Sequence, residues 1–197
     1  MKIEVDARGL DCPKPVIQTK KAIESAGVKN VLAIVDNKTA KENISKLATS
    51  LNCNFTVEEI GADFYIEIYK GEILSKEIMP EKKPSIHEIV IVVGKDKLGD
   101  GNDELGEVLM NGYFYTLTEV QPYPKAILFL NSGVNLTIEG SKVLEHLRIL
   151  ESLGVEILSC GTCLDYYMAK DKLAVGGVSN MFTIVEHMNK AKNTIRI

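Results

Sequence analysis

Residues 70–85, KGEILSKEIMPEKKPS, interrupt every hydrophobic period in the 197-residue chain. Pro80 and Pro84 each lack the N–H that a helix or ladder needs, and Lys82-Lys83 between them favour solvated, partly extended backbone. A single core through this stretch is therefore excluded, and the chain reads as domain 1–70, linker 71–85 and domain 86–197.

The first domain alternates strand and helix signals. Residues 2–5 read as a strand. Pro13 and Pro15 are tolerated only in the first turn of a helix, so the helix that follows cannot reach back beyond about Asp11. Val16, Thr19, Ile23 and Ala26 mark its apolar face up to Gly27. Val31–Val35 is a continuous apolar run of strand length. A second helix over 39–51 carries Ile44, Leu47, Ala48 and Leu51 at i, i+3, i+4 and i+7. Cys53, Phe55 and Val57, then Phe64, Ile66 and Ile68, alternate with polar residues about a turn at Gly61-Ala62-Asp63, which predicts a hairpin with one buried face. The order βαβαββ predicts two helices on one face of a four-stranded sheet.

The second domain repeats β-α units. Strands are expected at 88–93, 126–130, 155–158 and 173–175, with 194–197 at an edge. Helices are expected from about Glu104, from a cap at Ser141 (Leu144, Leu147, Leu150, Leu153), after Cys160, and from Ser179 or Asn180 (Met181, Ile184, Val185, Met188). This pattern predicts a mostly parallel sheet with helices on both faces. The fold class is thus α/β: a two-layer βαβαββ sandwich followed by a three-layer, doubly wound domain.

Composition excludes several functions. Net charge is −4, and residues 86–197 account for it with ten Lys and Arg against fourteen Asp and Glu. Neither domain has the basic excess of a nucleic-acid surface. No apolar run approaches the roughly 20 residues that cross a bilayer. Four cysteines behind a charged start, Met1-Lys2-Ile3-Glu4-Val5-Asp6, predict a reducing, cytoplasmic setting with free rather than paired thiols.

Cys12 is the first chemical candidate. At or beside a helix N-cap, its sulfur is expected to face unsatisfied N–H groups and the positive dipole end, both favouring thiolate. Ser, Thr, Asp or Asn would serve better as a plain cap. Cys160-Gly161-Thr162-Cys163 is the second candidate, at the end of a predicted central strand where open α/β sheets place ligands. One or both thiols are expected to gain thiolate character there. Zinc would need two further ligands, and His87, His146 and His187 offer no suitable spacing. A redox CxxC pair competes with a transfer site. Cys53 reads as a buried, inert thiol. The glycine-rich loop 94–103 lacks a phosphate motif and reads equally as surface loop or as flap beside Cys160. Asn131–Asn135 either lines the same crevice or forms a turn. His146 and His187 are expected to face solvent.

Asp6-Ala7-Arg8-Gly9-Leu10-Asp11-Cys12-Pro13-Lys14-Pro15 resembles the signature of the TusA/SirA sulfur-carrier family over residues 1–70. The resemblance implies a persulfide on Cys12, with Asp6, Gly9, Leu10, Pro13, Lys14 and Pro15 as supporting motif. Asp36 matches the family pattern, whereas Asn37, Lys38 and Asn43 depart from it. Residues 86–197 resemble the DsrE-like sulfur-relay family, which implies a reactive cysteine at Cys160 and a second at Cys163. The fusion, with CGTCLD and Val178-Ser179-Asn180-Met181, resembles the YedF family associated with selenium metabolism.

Taken together, these resemblances imply a sulfur or selenium carrier that holds a persulfide or perselenide on Cys12 and relays it through Cys160 and Cys163. A tether of about 15 residues would give an effective concentration near millimolar for that step. The expected partners are a cysteine desulfurase-like donor, a downstream acceptor and a second copy of the chain, the last through Met110–Leu117. No cofactor or metal is expected. The alternatives are a thiol-disulfide oxidoreductase or redox sensor using Cys160 and Cys163, and a non-catalytic adaptor for sulfur-relay partners.

Overall fold

The structure, a computed structural model, describes residues 2–70 and 86–197. The chain divides into two compact units to which these two stretches belong. The predicted linker lies outside the described residues.

In the first unit, β1 (Lys2–Asp6), α1 (Lys14–Glu24), β2 (Asn30–Val35), α2 (Lys38–Ser50), β3 (Asn54–Ile60) and β4 (Asp63–Tyr69) follow the predicted order. The sheet runs β1-β2-β4-β3, with β1 parallel to β2 and the rest antiparallel. Register sets Val31, Ala33 and Val35 opposite Ile68, Ile66 and Phe64. That face packs against Ala22 and Ile23 of α1 and Ala40, Ile44 and Ala48 of α2, forming one core. Of the predicted α1 face, Thr19 and Ile23 are buried and Val16 packs against the core, with Pro15, Ile17 and Ala22 buried as well; the helix stops at Glu24, leaving Ala26 exposed. Thr19 is accommodated because its hydroxyl donates to Pro15 O at 2.8 Å. Val57 is exposed, since β3 is an edge strand. Gly61, at φ +67°, makes the turn, and Asp63 already belongs to β4.

The second unit contains β5 (Ile86–Val93), α3 (Asp103–Glu119), β6 (Tyr123–Phe129), a 3₁₀ turn (Asn131–Leu136), α4 (Leu144–Ser152), β7 (Glu156–Cys160), α5 (Gly161–Tyr166), β8 (Gly177–Ser179), α6 (Met181–Lys190) and β9 (Asn193–Arg196). All five strands are parallel, in the order β8-β7-β6-β5-β9. Ile91, Val93, Ile127, Phe129 and Ile157 face α3 and α4, through Met110, Phe114, Leu147 and Leu150. The alternate residues Val90, Val92, Ala126, Leu128 and Cys160 face Ile184 of α6. The two-residue period of the strands thus sorts side chains into two cores, one on each side of the sheet.

Several local expectations are corrected. Leu173–Val175 is not a strand; β8 lies at 177–179. Gly176 intervenes at φ +74°, so close to β7 that a Cβ there would sit 2.4 Å from Ile157 O. Ser141 does not cap α4. The chain makes a further turn, and Val143 becomes the N-cap. On α6 only Ile184 is buried, while Met181 and Val185 are exposed. Met110 and Phe114 are core residues, so the apolar surface of α3 is Leu105, Val108 and Leu109 instead of the 110–117 stretch. The histidines do not simply face solvent: His146 packs edge-on against Tyr115 at 5.5 Å, and His187 sits between Thr183 O and Glu156, 2.9 Å from each.

Candidate functional site

The loop from Ala7 to Pro13 carries the first candidate thiol and is anchored along its length. Ala7 is buried and donates its N–H to Ile34 O at 2.9 Å. Arg8 bridges Asp6 at 2.6 Å and Asp63 at 3.0 Å. The guanidinium holds the Asp6 carboxyl down at about 2. Gly9 takes φ +68°, a left-handed conformation that suits glycine, and presents its N–H to Asp36 at 2.7 Å. That N–H and the Asn37 amide lower the Asp36 carboxyl below its ordinary range. Leu10 packs against the first-unit core. Pro13 is the N-cap of α1, Lys14 its exposed first residue, and Pro15 is buried in the first turn. Cys12 therefore stands one residue ahead of the cap, exposed.

The expected contact between the thiol and unsatisfied helix N–H groups is not made. Lys14 donates to Asp11 O at 3.0 Å, Pro15 has no N–H, and Val16 and Ile17 both donate to Pro13 O. The prolines that fix the helix start thus leave the first turn closed on itself. The contact to Cys12 Sγ comes from across the groove, from Asn43 Nδ2 of α2 at 4.0 Å. Leu10, Cys12, Pro15, Val16, Asn37, Thr39, Ala40 and Asn43 enclose a cavity of about 30 Å³ between the starts of the two helices. Asn37 caps α2, accepting from Ala40 N at 2.8 Å.

Comparison with known proteins decides what this unit is. The family described as sulfurtransferase TusA matches residues 3–70. A SirA-like protein from Desulfitobacterium hafniense is 33% identical over 99% of its own length and 36% of this chain, with a TM-score of 0.33. The first unit is a TusA/SirA-like domain. Two further solved structures cover over half of the chain: YchN from E. coli, 18% identical (56% of this chain, 99% of that one, TM-score 0.44), and a protein of unknown function from Methanobacterium thermoautotrophicum, 19% identical (57% and 99%, TM-score 0.43). No curated protein matches the chain.

Beyond the TusA unit lies the CGTC motif. Cys160 ends β7, paired in register with Ser179 of β8, and caps the one-and-a-half-turn helix α5. It is buried, and both cysteines are free thiols. Gly161 packs closely, since a Cβ there would lie 3.1 Å from Val178 and 3.3 Å from Ser179 O. Cys163 is partly exposed and accepts an N–H from Asn131 at 3.2 Å. Asn131 holds a left-handed φ of +50°, and its side chain accepts from Tyr167 OH at 2.9 Å. Contrary to the expected thiolate character, burial and the hydrogen bond with Cys160 push the Cys163 thiol up, with only the Asn131 N–H drawing it down.

The two candidate lining segments do different things. Asn131 meets Cys163, whereas Ser132 and Asn135 bind Asp96 of the 94–103 loop. Asp96 and Asn135 line a separate cavity of about 230 Å³ with Lys97, Glu107, Ser141 and Lys142. The loop is held by ion pairs from Lys95 to Asp100 and from Lys97 to Asp103, and by Leu98 N–H to Gly106 O. Cys53 is buried in the TusA-unit core, 3.6 Å from Leu51 O. Among the described residues no group of three or more His, Cys, Asp or Glu is placed to hold a metal ion, and no helix is long and apolar enough to cross a membrane.

The sequence marks Asn43 only as a departure from a family pattern, and Tyr167 is not among the predicted site residues. Asn43 lies 31 residues from Cys12 and Tyr167 lies 36 from Asn131. A favourable spacing existed for Tyr167, four residues after Cys163 on the same helical face.

Proposed function

We propose that the protein is a sulfur or selenium carrier whose Cys12 accepts the chalcogen atom and whose Cys160-Cys163 pair receives it. The observation that carries this reading is an exposed thiol on an anchored loop, opening on a cavity with room for about an atom or two. A substrate-sized pocket would be superfluous for a carrier. The Cys12 thiolate attacks the outer sulfur of a donor persulfide; a new S–S bond forms on Cys12, the donor S–S bond breaks, and the donor leaves as thiolate. Attack on the Cys12 outer sulfur by a thiolate of the CGTC pair repeats the exchange. Closure of a Cys160–Cys163 disulfide then reduces the carried atom to sulfide or selenide, the two electrons coming from the two thiols.

Asp6, Gly9, Leu10, Pro13, Lys14 and Pro15 serve this chemistry by placing the loop. The donor is of cysteine desulfurase type, the acceptor lies downstream, and the setting is the reducing cytoplasm. Self-association through the second unit would bury Leu105, Val108 and Leu109. The YedF resemblance leans the cargo toward selenium.

The test loads the reduced full chain from a persulfide or perselenide donor, then locates added mass in wild type, Cys12→Ser, Cys160→Ser and Cys163→Ser. One added chalcogen atom on Cys12 supports the carrier. A Cys160–Cys163 disulfide alone replaces it with an oxidoreductase, and unmodified cysteines throughout leave an adaptor.

A further inference from the structure

Within the carrier reading, on which this inference rests, the attacking sulfur is given, but what receives the charge of the transferred atom is not. A persulfide is an anion at its outer sulfur, and an anion at a surface needs hydrogen-bond donors to persist. The N–H groups at the start of α1 are not available for this: Lys14 bonds Asp11, Pro15 has none, and Val16 and Ile17 share Pro13 O. The lining of the Cys12 cavity contains no charged side chain. Its polar groups are Asn37, Thr39 and Asn43. Asn37 is committed at both ends, accepting from Ala40 N at 2.8 Å and donating to Asp36 at 3.1 Å.

Asn43 remains. Its Nδ2 lies 4.0 Å from Cys12 Sγ, at the outer limit of contact with the bare thiol. A second sulfur adds a bond of about 2.05 Å. Pointed into the cavity, that sulfur comes within ordinary N–H···S range of the same amide. The cavity, about 30 Å³, has room for one added atom. We propose that the Cys12 cavity is the seat of the terminal chalcogen and that Asn43 holds it there by donating from Nδ2. The contact is made to the loaded state far more than to the empty one, so Asn43 selects loaded Cys12.

The measurement uses the full chain carrying Cys160→Ser and Cys163→Ser, so that sulfur cannot move on. Cys12 is loaded from inorganic polysulfide, and the persulfide is followed by mass after the donor is removed. In parallel, the empty thiol is alkylated with iodoacetamide. Asn43→Ala is expected to shorten persulfide lifetime by about tenfold while leaving alkylation within about twofold. Asn43→Asp, nearly isosteric but without the Nδ2 donor, is expected to shorten it likewise, and a circular dichroism spectrum confirms that each variant folds. Equal persulfide lifetimes in wild type, Asn43→Ala and Asn43→Asp would overturn the inference and leave the carrier intact. Absence of any sulfur on Cys12 with Asn43 in place would overturn the carrier reading itself.

Discussion

Gly133 sits in the 3₁₀ turn that brings the Asn131 N–H to Cys163, and Gly133→Ala tests whether that turn is built around contact with β5. A Cβ at this position would lie 2.3 Å from Val93 O, 3.0 Å from Val93 C and 3.4 Å from Lys95 N. All three are backbone atoms at the end of a strand hydrogen-bonded on both sides, so they cannot swing away as a side-chain tip would. Relief needs the turn to retreat by about 1 Å, at the expense of the Gly133 N–H to Leu130 O bond of 3.0 Å. Overpacking by one methyl costs about 1–3 kcal/mol, and rigid neighbours put this case near the upper figure. About 3 kcal/mol is roughly a hundredfold in the opening equilibrium. The assay is native-state labelling of Cys160, which is buried and reacts only when the second unit opens. Gly101→Ala is the control, because a Cβ there meets open space. Its labelling rate should match wild type, while Gly133→Ala speeds labelling about a hundredfold and lowers the urea midpoint by about 1–2 M. Equal labelling of the two variants would refute the close-approach reasoning.

Tyr167→Phe removes the hydrogen bond that holds Asn131, so the one contact drawing the Cys163 thiol down is weakened. The thiol moves further up, its thiolate fraction at fixed pH falls, and the pH profile of Cys163 alkylation shifts to higher pH. Asn37→Ala deletes the cap of α2 and should destabilise the TusA unit by about 1 kcal/mol, read as an earlier thermal transition. Asp6 has a folded pKa of about 2, below its unfolded value, so its pairing with Arg8 contributes stability above about pH 4 that is lost as pH falls toward 2. Asp6→Asn should flatten that acid limb in a pH titration of unfolding.

The fold was largely legible because its signals are local and redundant. Val31–Val35 and the Ile44, Leu47, Ala48, Leu51 spacing state a buried strand and a one-sided helix without reference to anything distant. Where the reading missed, a long-range contact overrode a local preference. Leu173–Val175 has strand composition, but Gly176 must approach Ile157, so pairing starts only at Gly177. Met181 and Val185 carry a helical apolar period, yet α6 turns Ile184 and Met188 to the sheet. The site was legible as residues and less so as contacts. Cys12, Pro13 and Pro15 named themselves, but the closure of the first turn on Asp11 and Pro13, and the arrival of Asn43 from α2, follow only from the packing of α1 against α2.

The two cysteine sites solve opposite problems, and the difference bears on the direction of transfer in the proposed relay. Cys12 is exposed on a loop fixed by Asp36 and Arg8, a setting suited to meeting a separate donor. Cys163 is partly withdrawn, its thiol raised by burial and by Cys160. A thiol of raised pKa is a strong nucleophile once ionised and a poor leaving group. Sulfur that reaches Cys163 therefore returns to Cys12 slowly. Attack by the neighbouring Cys160 on the inner sulfur expels hydrosulfide and leaves Cys163 in the disulfide, so this step does not need Cys163 to depart at all. The burial that raises the Cys163 thiol thus favours release over back-transfer, and a relay built in the reverse order would lose that bias.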